Sequence, residues 1–211
     1  MRKAKLALSL ALFVAPLIAW ASDTPRKLSY RYVQLEVSHT SDPFFGDRNG
    51  QSASGRYEFG DTGLYALAGY QLEKQEFDLQ GNNRRFRDRV YARHFGLGYA
   101  WRVNDAFHVT TEVGQSRRWF TANFPDFGPP ITTRTTAENF RIGVRGLLGD
   151  VLEYRVALGR DFFEFGHQDI TEVGVAFEVF PGWSALVGGE WNEARFIPST
   201  KKASIGMRYA F

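Results

Sequence analysis

From residue 28 onward the chain alternates apolar residues with polar or small ones at a period of two. That spacing belongs to a strand whose two faces meet different surroundings. The clearest case is Phe95, Leu97, Tyr99 and Trp101 interleaved with His94, Gly96, Gly98 and Ala100. Ten such segments are predicted: 28–38, 51–60, 64–77, 89–102, 106–119, 136–148, 151–161, 170–180, 183–193 and the C-terminal run 203–211. The second and ninth alternate least clearly, and demoting both gives eight strands. The connections alternate in length. Short, turn-rich ones fall at 60–63, 103–105, 149–150 and 181–182, and longer ones at 39–50, 78–88, 120–135, 162–169 and 194–201. Short turns at one end and longer loops at the other describe an all-β, antiparallel up-and-down barrel of the transmembrane kind. An even strand number leaves both termini on the short-turn side.

The N-terminus changes the picture next. Arg2, Lys3 and Lys5 precede an apolar stretch over 6–18 and the small-x-small site Ala19-Trp20-Ala21. This is the layout of a secretory signal peptide over 1–21, with a mature barrel domain over 22–211. The stretch falls short of the about 20 apolar residues that a helix needs to cross a bilayer. Without the leader's three basic residues the chain holds 23 basic and 23 acidic residues. It is formally neutral, which removes charge as an argument for a nucleic-acid partner. With no cysteine there is no disulfide, thiol nucleophile or thiolate metal site.

A soluble barrel would share the periodicity with its apolar face inward. The distribution of aromatics favours a membrane. Tyr57, Phe59, Tyr99, Trp101, Phe107, Phe180, Trp183, Tyr209 and Phe211 fall near the short turns, and Tyr91, Trp119, Phe120, Trp191 and Phe196 near the long loops. Two aromatic girdles of a membrane barrel have this distribution. The opposite face carries Gly96, Gly98, Gly114, Gly143, Gly159, Gly174, Gly188 and Gly206, which fit a cramped interior.

The inward pattern then holds Glu36, Glu58, Glu112, Glu153, Glu172, Glu178 and Glu190 with Arg56, Arg141, Arg145, Arg155 and Arg208. Enclosed charges must pair or be hydrated, so a lumen-filling Arg–Glu network is expected. A three-residue turn after the sixth strand would set Arg145 directly opposite Glu153. Interiors of about eight strands are filled by side chains and open channels need about sixteen, so a narrow pore is the lesser alternative. His94 and His108 point inward on neighbouring strands and could form a metal pair or, with Glu112, a general base. Two hydrogen-bonded lumen residues are the simpler account, and no metal or cofactor is expected. Arg93 and Arg117 fall on the lipid-facing pattern at the outer girdle and are candidate lipopolysaccharide contacts. Phe124, Phe127 and Ile131 lie among prolines in the third long loop, either capping the mouth or meeting a partner.

Leader, alternation, loop asymmetry, girdles and the terminal Tyr209-Ala210-Phe211 together resemble the small outer-membrane barrels of Gram-negative bacteria, the broad group of OmpX, Ail, Opa-like proteins and the OmpA barrel. The resemblance implies an outer-membrane location and contact with outer-membrane lipid and lipopolysaccharide. It also implies recognition of the last strand by the assembly machinery, through Phe211 and Tyr209. Members include adhesins, envelope-stabilising proteins and a few enzymes, so fold alone leaves activity open. The expected role is a non-enzymatic surface interaction or envelope structure, with a narrow pore and a lipid-acting enzyme as alternatives. The enzyme alternative rests on His39-Thr40-Ser41, which is similar to the His-x-Ser element of lipid A deacylases except that Asp42 stands where those carry Asn. The chain lacks the paired acids and Asp-His couple of ten-stranded omptin-type proteases.

Overall fold

The computed structural model describes residues 27–42, 46–79, 84–123, 129–194 and 197–211. Ten strands follow one another: β1 Tyr32–Ser41, β2 Arg48–Glu58, β3 Leu64–Leu79, β4 Arg84–Asn104, β5 Phe107–Asn123, β6 Ile131–Leu148, β7 Leu152–Phe163, β8 Gly166–Phe180, β9 Trp183–Ala194 and β10 Ile197–Ala210. Each pairs antiparallel with its sequence neighbours, and β1 pairs with β10, so the sheet closes on itself. Closure satisfies the backbone without an edge in the membrane. The eight-strand alternative is thereby set aside.

The faces are inside out relative to a soluble protein. Leu35, Phe95, Leu158 and Ile205 on the exterior are each more than half exposed, while Glu112, Arg145, Glu153 and Arg208 in the interior are buried. An apolar exterior round a charged interior is the arrangement of a barrel that spans a lipid bilayer. At its lower, short-turn rim, Tyr99 packs edge-on to Trp101 with ring centroids 4.9 Å apart, and Trp183 lies 4.9 Å from Tyr209. Gly60, Gly149 and Gly182 take left-handed backbone (φ 63°, 63° and 78°) in the tight turns at this rim.

Three expectations need correction. First, the strands at the outer end run further than their amphipathic stretches. β7 and β8 meet in a tight hairpin from Phe163 to Gly166, where a loop over 162–169 was expected. Above the lipid both faces are wet, so backbone pairing continues after the apolar–polar contrast has gone. Second, β1 begins at Tyr32 rather than at residue 28. Residues 27–31 turn into the barrel, and Arg145 Nη1 takes up the Ser29 carbonyl at 2.6 Å. Third, Phe120 faces the lumen instead of the outer girdle. Phe124, Phe127 and Phe196, together with the leader, lie outside the described residues.

On one side of the outer end, β3 to β6 outreach their neighbours. β2 accompanies β3 only as far as Lys74. β7 accompanies β6 only from Ala137, so residues 131–136 of β6 are paired on the β5 side alone among the described residues. All six of those residues are exposed.

Candidate functional site

Inward-facing residues near the lower rim form a floor. Tyr30 is fully buried, stacked on Tyr65 with centroids 4.7 Å apart, and its hydroxyl lies 3.3 Å from His108 Nδ1. The Arg145 guanidinium lies 4.6 Å from the Tyr30 ring centre. Glu153 accepts two hydrogen bonds from Arg145 (2.6 and 2.9 Å) and two from Arg208 (2.8 and 2.6 Å), so both carboxylate oxygens are held from two sides. Such forked contacts are the strong form of the ion pair. The expected direct opposition of Arg145 and Glu153 is corrected: Arg145 faces Arg155 in the register, and Leu147 faces Glu153. The turn between β6 and β7 does take three residues, 149–151, but it is centred one residue later than that opposition requires, and the long Arg145 side chain crosses the diagonal.

Above the floor the charges alternate in one chain. Arg56 Nη2 meets Glu112 Oε1 at 2.7 Å, and the Tyr65 hydroxyl donates to the same oxygen at 2.9 Å. Arg155 bridges Glu112 and Glu172 at 3.5 and 3.2 Å. Arg141 joins Glu172 (3.2 Å) to Asp161 (2.7 Å), and Arg118 closes on Asp161 at 2.8 Å. Close packing depends on glycine. A Cβ on Gly98 would lie 2.3 Å from Tyr65 Cζ, and one on Gly159 would lie 2.0 Å from Arg141 Cδ.

The remaining expected lumen acids stand apart from this chain. Glu58 takes the Gly63 N–H at 2.9 Å and pairs with Arg102 at the lower rim. Glu178 takes the Gly182 N–H at 3.2 Å. Glu36 accepts from Gln34 at 3.3 Å, and Glu190 accepts from Asn192 at 2.7 Å and lies 4.0 Å from Lys202. Sequence reasoning missed Tyr30, Tyr65, Arg118 and Asp161, because each lies at or beyond the end of an alternating run. It also missed an outer cluster in which Arg48 meets Asp42 at 2.9 Å and Glu73 at 3.6 Å.

Between the floor and the outer rim lies a cavity of about 940 Å³. Its upper wall is apolar on one side, at Val90, Phe120, Phe163 and Ile170, and polar on the other, at Thr40, Arg48, Glu73 and Lys202. The volume suits a ligand. His94 lies against Gly69 in this cavity and His108 is in the floor with Tyr30, so the two are not brought together as a pair. No group of three potential metal-ligating side chains occurs among the described residues. His39 sits on the exterior with its ring nitrogens directed at Asn49 (2.9 Å) and Asp47 (3.5 Å), and Asp42 turns inward to Arg48.

On the exterior, Arg93 and Arg117 are directly opposite one another in the β4–β5 register and both are exposed. Tyr209 and Phe211 lie at the lower rim with ring centroids 6.4 Å apart, and the Phe211 N–H donates to the Arg31 carbonyl at 3.0 Å.

The sequence matches no protein-family profile, and no curated protein matches it. Solved structures do match the fold. The translocator domain of the autotransporter NalP from Neisseria meningitidis superposes with a TM-score of 0.52 at 14% identity, over 100% of this chain and 98% of that one. The transport unit of the autotransporter AIDA-I from Escherichia coli gives 0.50 at 10% identity, over 94% and 97%. The β domain of the Bordetella autotransporter BrkA gives 0.50 at 12%, over 85% and 98%. At these identities the likeness is one of architecture. By fold, this chain is a closed ten-stranded β-barrel of the outer-membrane type.

Proposed function

We propose that this protein is an integral outer-membrane barrel with a non-enzymatic role, presenting an interaction surface outside the cell. On this reading the leader is removed after Ala21, and the assembly machinery takes up the last strand through Phe211 and Tyr209. The observation that carries the reading is the rise of β3 to β6 beyond their neighbours, with residues 131–136 of β6 open along one edge among the described residues. That edge reads Ile-Thr-Thr-Arg-Thr-Thr, free of the Pro and Lys with which exposed edges are commonly blunted. An extended segment of a partner can add to it as a further strand, its backbone supplying affinity.

The test uses the intact protein expressed in a laboratory Gram-negative host. Thr132→Pro with Thr136→Pro removes two backbone donors from that edge, because the odd-numbered residues of β6, as at Leu147, whose N–H donates to the Ala106 carbonyl, direct theirs to β5 and the even-numbered ones direct theirs away from it. The double variant should keep the band shift between boiled and unboiled outer membranes and lose adherence to cultured epithelial monolayers. Wild-type cells no more adherent than vector controls would refute the surface role. A second reading, a narrow pore, has the 940 Å³ cavity in its favour and the floor of Tyr30, Arg145, Glu153 and Arg208 against it. The purified protein in planar bilayers should show no conductance steps, and regular steps would favour the pore.

A further inference from the structure

The exterior of β3 to β6 at its outer end carries more positive charge than a solvated rim requires. Lys74 on β3 lies directly opposite Arg89 on β4, and Arg93 on β4 lies directly opposite Arg117 on β5. Like charges in direct cross-strand register are destabilising by themselves. Arg134 on β6 lies opposite Trp119 on β5. The Arg93 and Arg134 guanidinium groups approach the Trp119 ring centre at 5.5 and 5.7 Å. All five cations are exposed on the outward face. None of them has a carboxylate within ion-pair distance among the described residues, whereas Arg160 on the exterior of β7 is paired with Asp169 at 2.6 Å. Among the described residues, that arginine is neutralised and these five are not.

We propose that this flank is a docking surface for a lipid of the outer leaflet that carries two phosphate groups. The two like-charge pairs are four residues apart along β4, which at about 3.3 Å per residue separates them by about 13 Å. One phosphate bridges Lys74 and Arg89, and the other bridges Arg93 and Arg117 with Arg134 beside it. Arginine's planar fork matches phosphate oxygens, and an anion between two opposed cations turns their repulsion into a clamp. The commitment to a lipid, not a soluble polyanion, comes from what continues below. Phe95, Leu97, Val113 and Phe140 form an exposed apolar strip on the same strands, so acyl chains run down the barrel wall while the phosphates hold at the top.

The inference rests on the outer-membrane reading, which the band shift in isolated outer membranes tests separately. The experiment here uses the full-length mature protein folded in detergent micelles. Bisphosphorylated and monophosphorylated lipid A are titrated in turn, and bound lipid is counted by native mass spectrometry. Wild type should retain the bisphosphorylated lipid and bind the monophosphorylated one at least tenfold more weakly. Arg93→Gln with Arg117→Gln, and separately Lys74→Gln with Arg89→Gln, should each weaken retention at least tenfold. With no lipid present, both variants should melt at or above the wild-type temperature, because a repulsive pair has been removed. A merely structural role for these residues would lower that temperature instead. Equal retention by all three proteins overturns the proposal. Displacement of the lipid by equimolar inorganic tripolyphosphate also overturns it, by making the flank a soluble-polyanion surface.

Discussion

Replacing Glu153 with Gln tests whether charge holds the floor of the barrel together. Glu153, Arg145 and Arg208 are 4%, 2% and 5% exposed, so neither arginine can turn to water when its partner changes. The substitution is nearly isosteric. It removes the negative charge and replaces one of the two accepting oxygens, which together receive four hydrogen bonds, with an NH₂ donor facing guanidinium donors. Removing one partner of a buried pair costs about 3–5 kcal/mol. We take about 4 kcal/mol here, which at about 1.4 kcal/mol per factor of ten lowers the folded-to-unfolded ratio roughly a thousandfold. Urea unfolding in micelles, followed by tryptophan fluorescence, reads this as a fall in the midpoint at unchanged slope. High salt should move the wild-type midpoint little, since buried pairs are screened less than exposed ones. Glu153→Leu combined with Arg145→Met and Arg208→Met should recover most of the loss, because apolar groups of similar volume can replace a buried ion cluster without penalty. A loss below about 1 kcal/mol for Glu153→Gln, the range of an exposed pair, would refute the reasoning.

Two further outcomes follow from neighbouring geometry. Gly98→Ala places a methyl 2.3 Å from Tyr65 Cζ, forces that ring off Tyr30 and Glu112, and should cost about 1–3 kcal/mol in the same urea assay. Phe211→Ala should act before folding is complete: the ring is 58% exposed in the folded barrel, so refolded protein should lose under about 1 kcal/mol, in keeping with a surface substitution. The folded fraction in outer membranes of living cells should nevertheless drop severalfold. Equal yields from Phe211→Ala and wild type would remove Phe211 as an assembly signal.

The strand count was legible in the sequence because lipid on one face and charge on the other impose a strict alternation on every transmembrane strand. Partnership across strands was not. Alternation says which face a residue takes and nothing about its height against its neighbour. Arg145 could therefore be assigned to the lumen but not to its diagonal contact with Glu153. The same limit hid the opposition of Lys74 and Arg89, which depends on a register set by the whole β3–β4 hairpin. Tyr30 was hidden for another reason. It lies before the ladder begins, and an aromatic next to an alternating run reads as part of it.

The polar-face glycines carry the last step. A uniformly cramped interior would explain them by lack of space, yet among the described residues the lumen is packed at the floor and holds a cavity above it. Gly98 and Gly159 are small because Tyr65 and Arg141 lie across them. Gly174 has only the Val187 carbonyl, at 3.7 Å, near the position of a Cβ, and it lines a recess beside Glu172 and Glu190. One residue type therefore serves opposite ends, closing the floor where a large neighbour folds over it and leaving space where none does. The size of the cross-strand neighbour decides between them. The shape of this lumen among the described residues, packed at the floor and hollow above it, thus arises from the register of the inward side chains, whereas strand number sets only the width within which they pack.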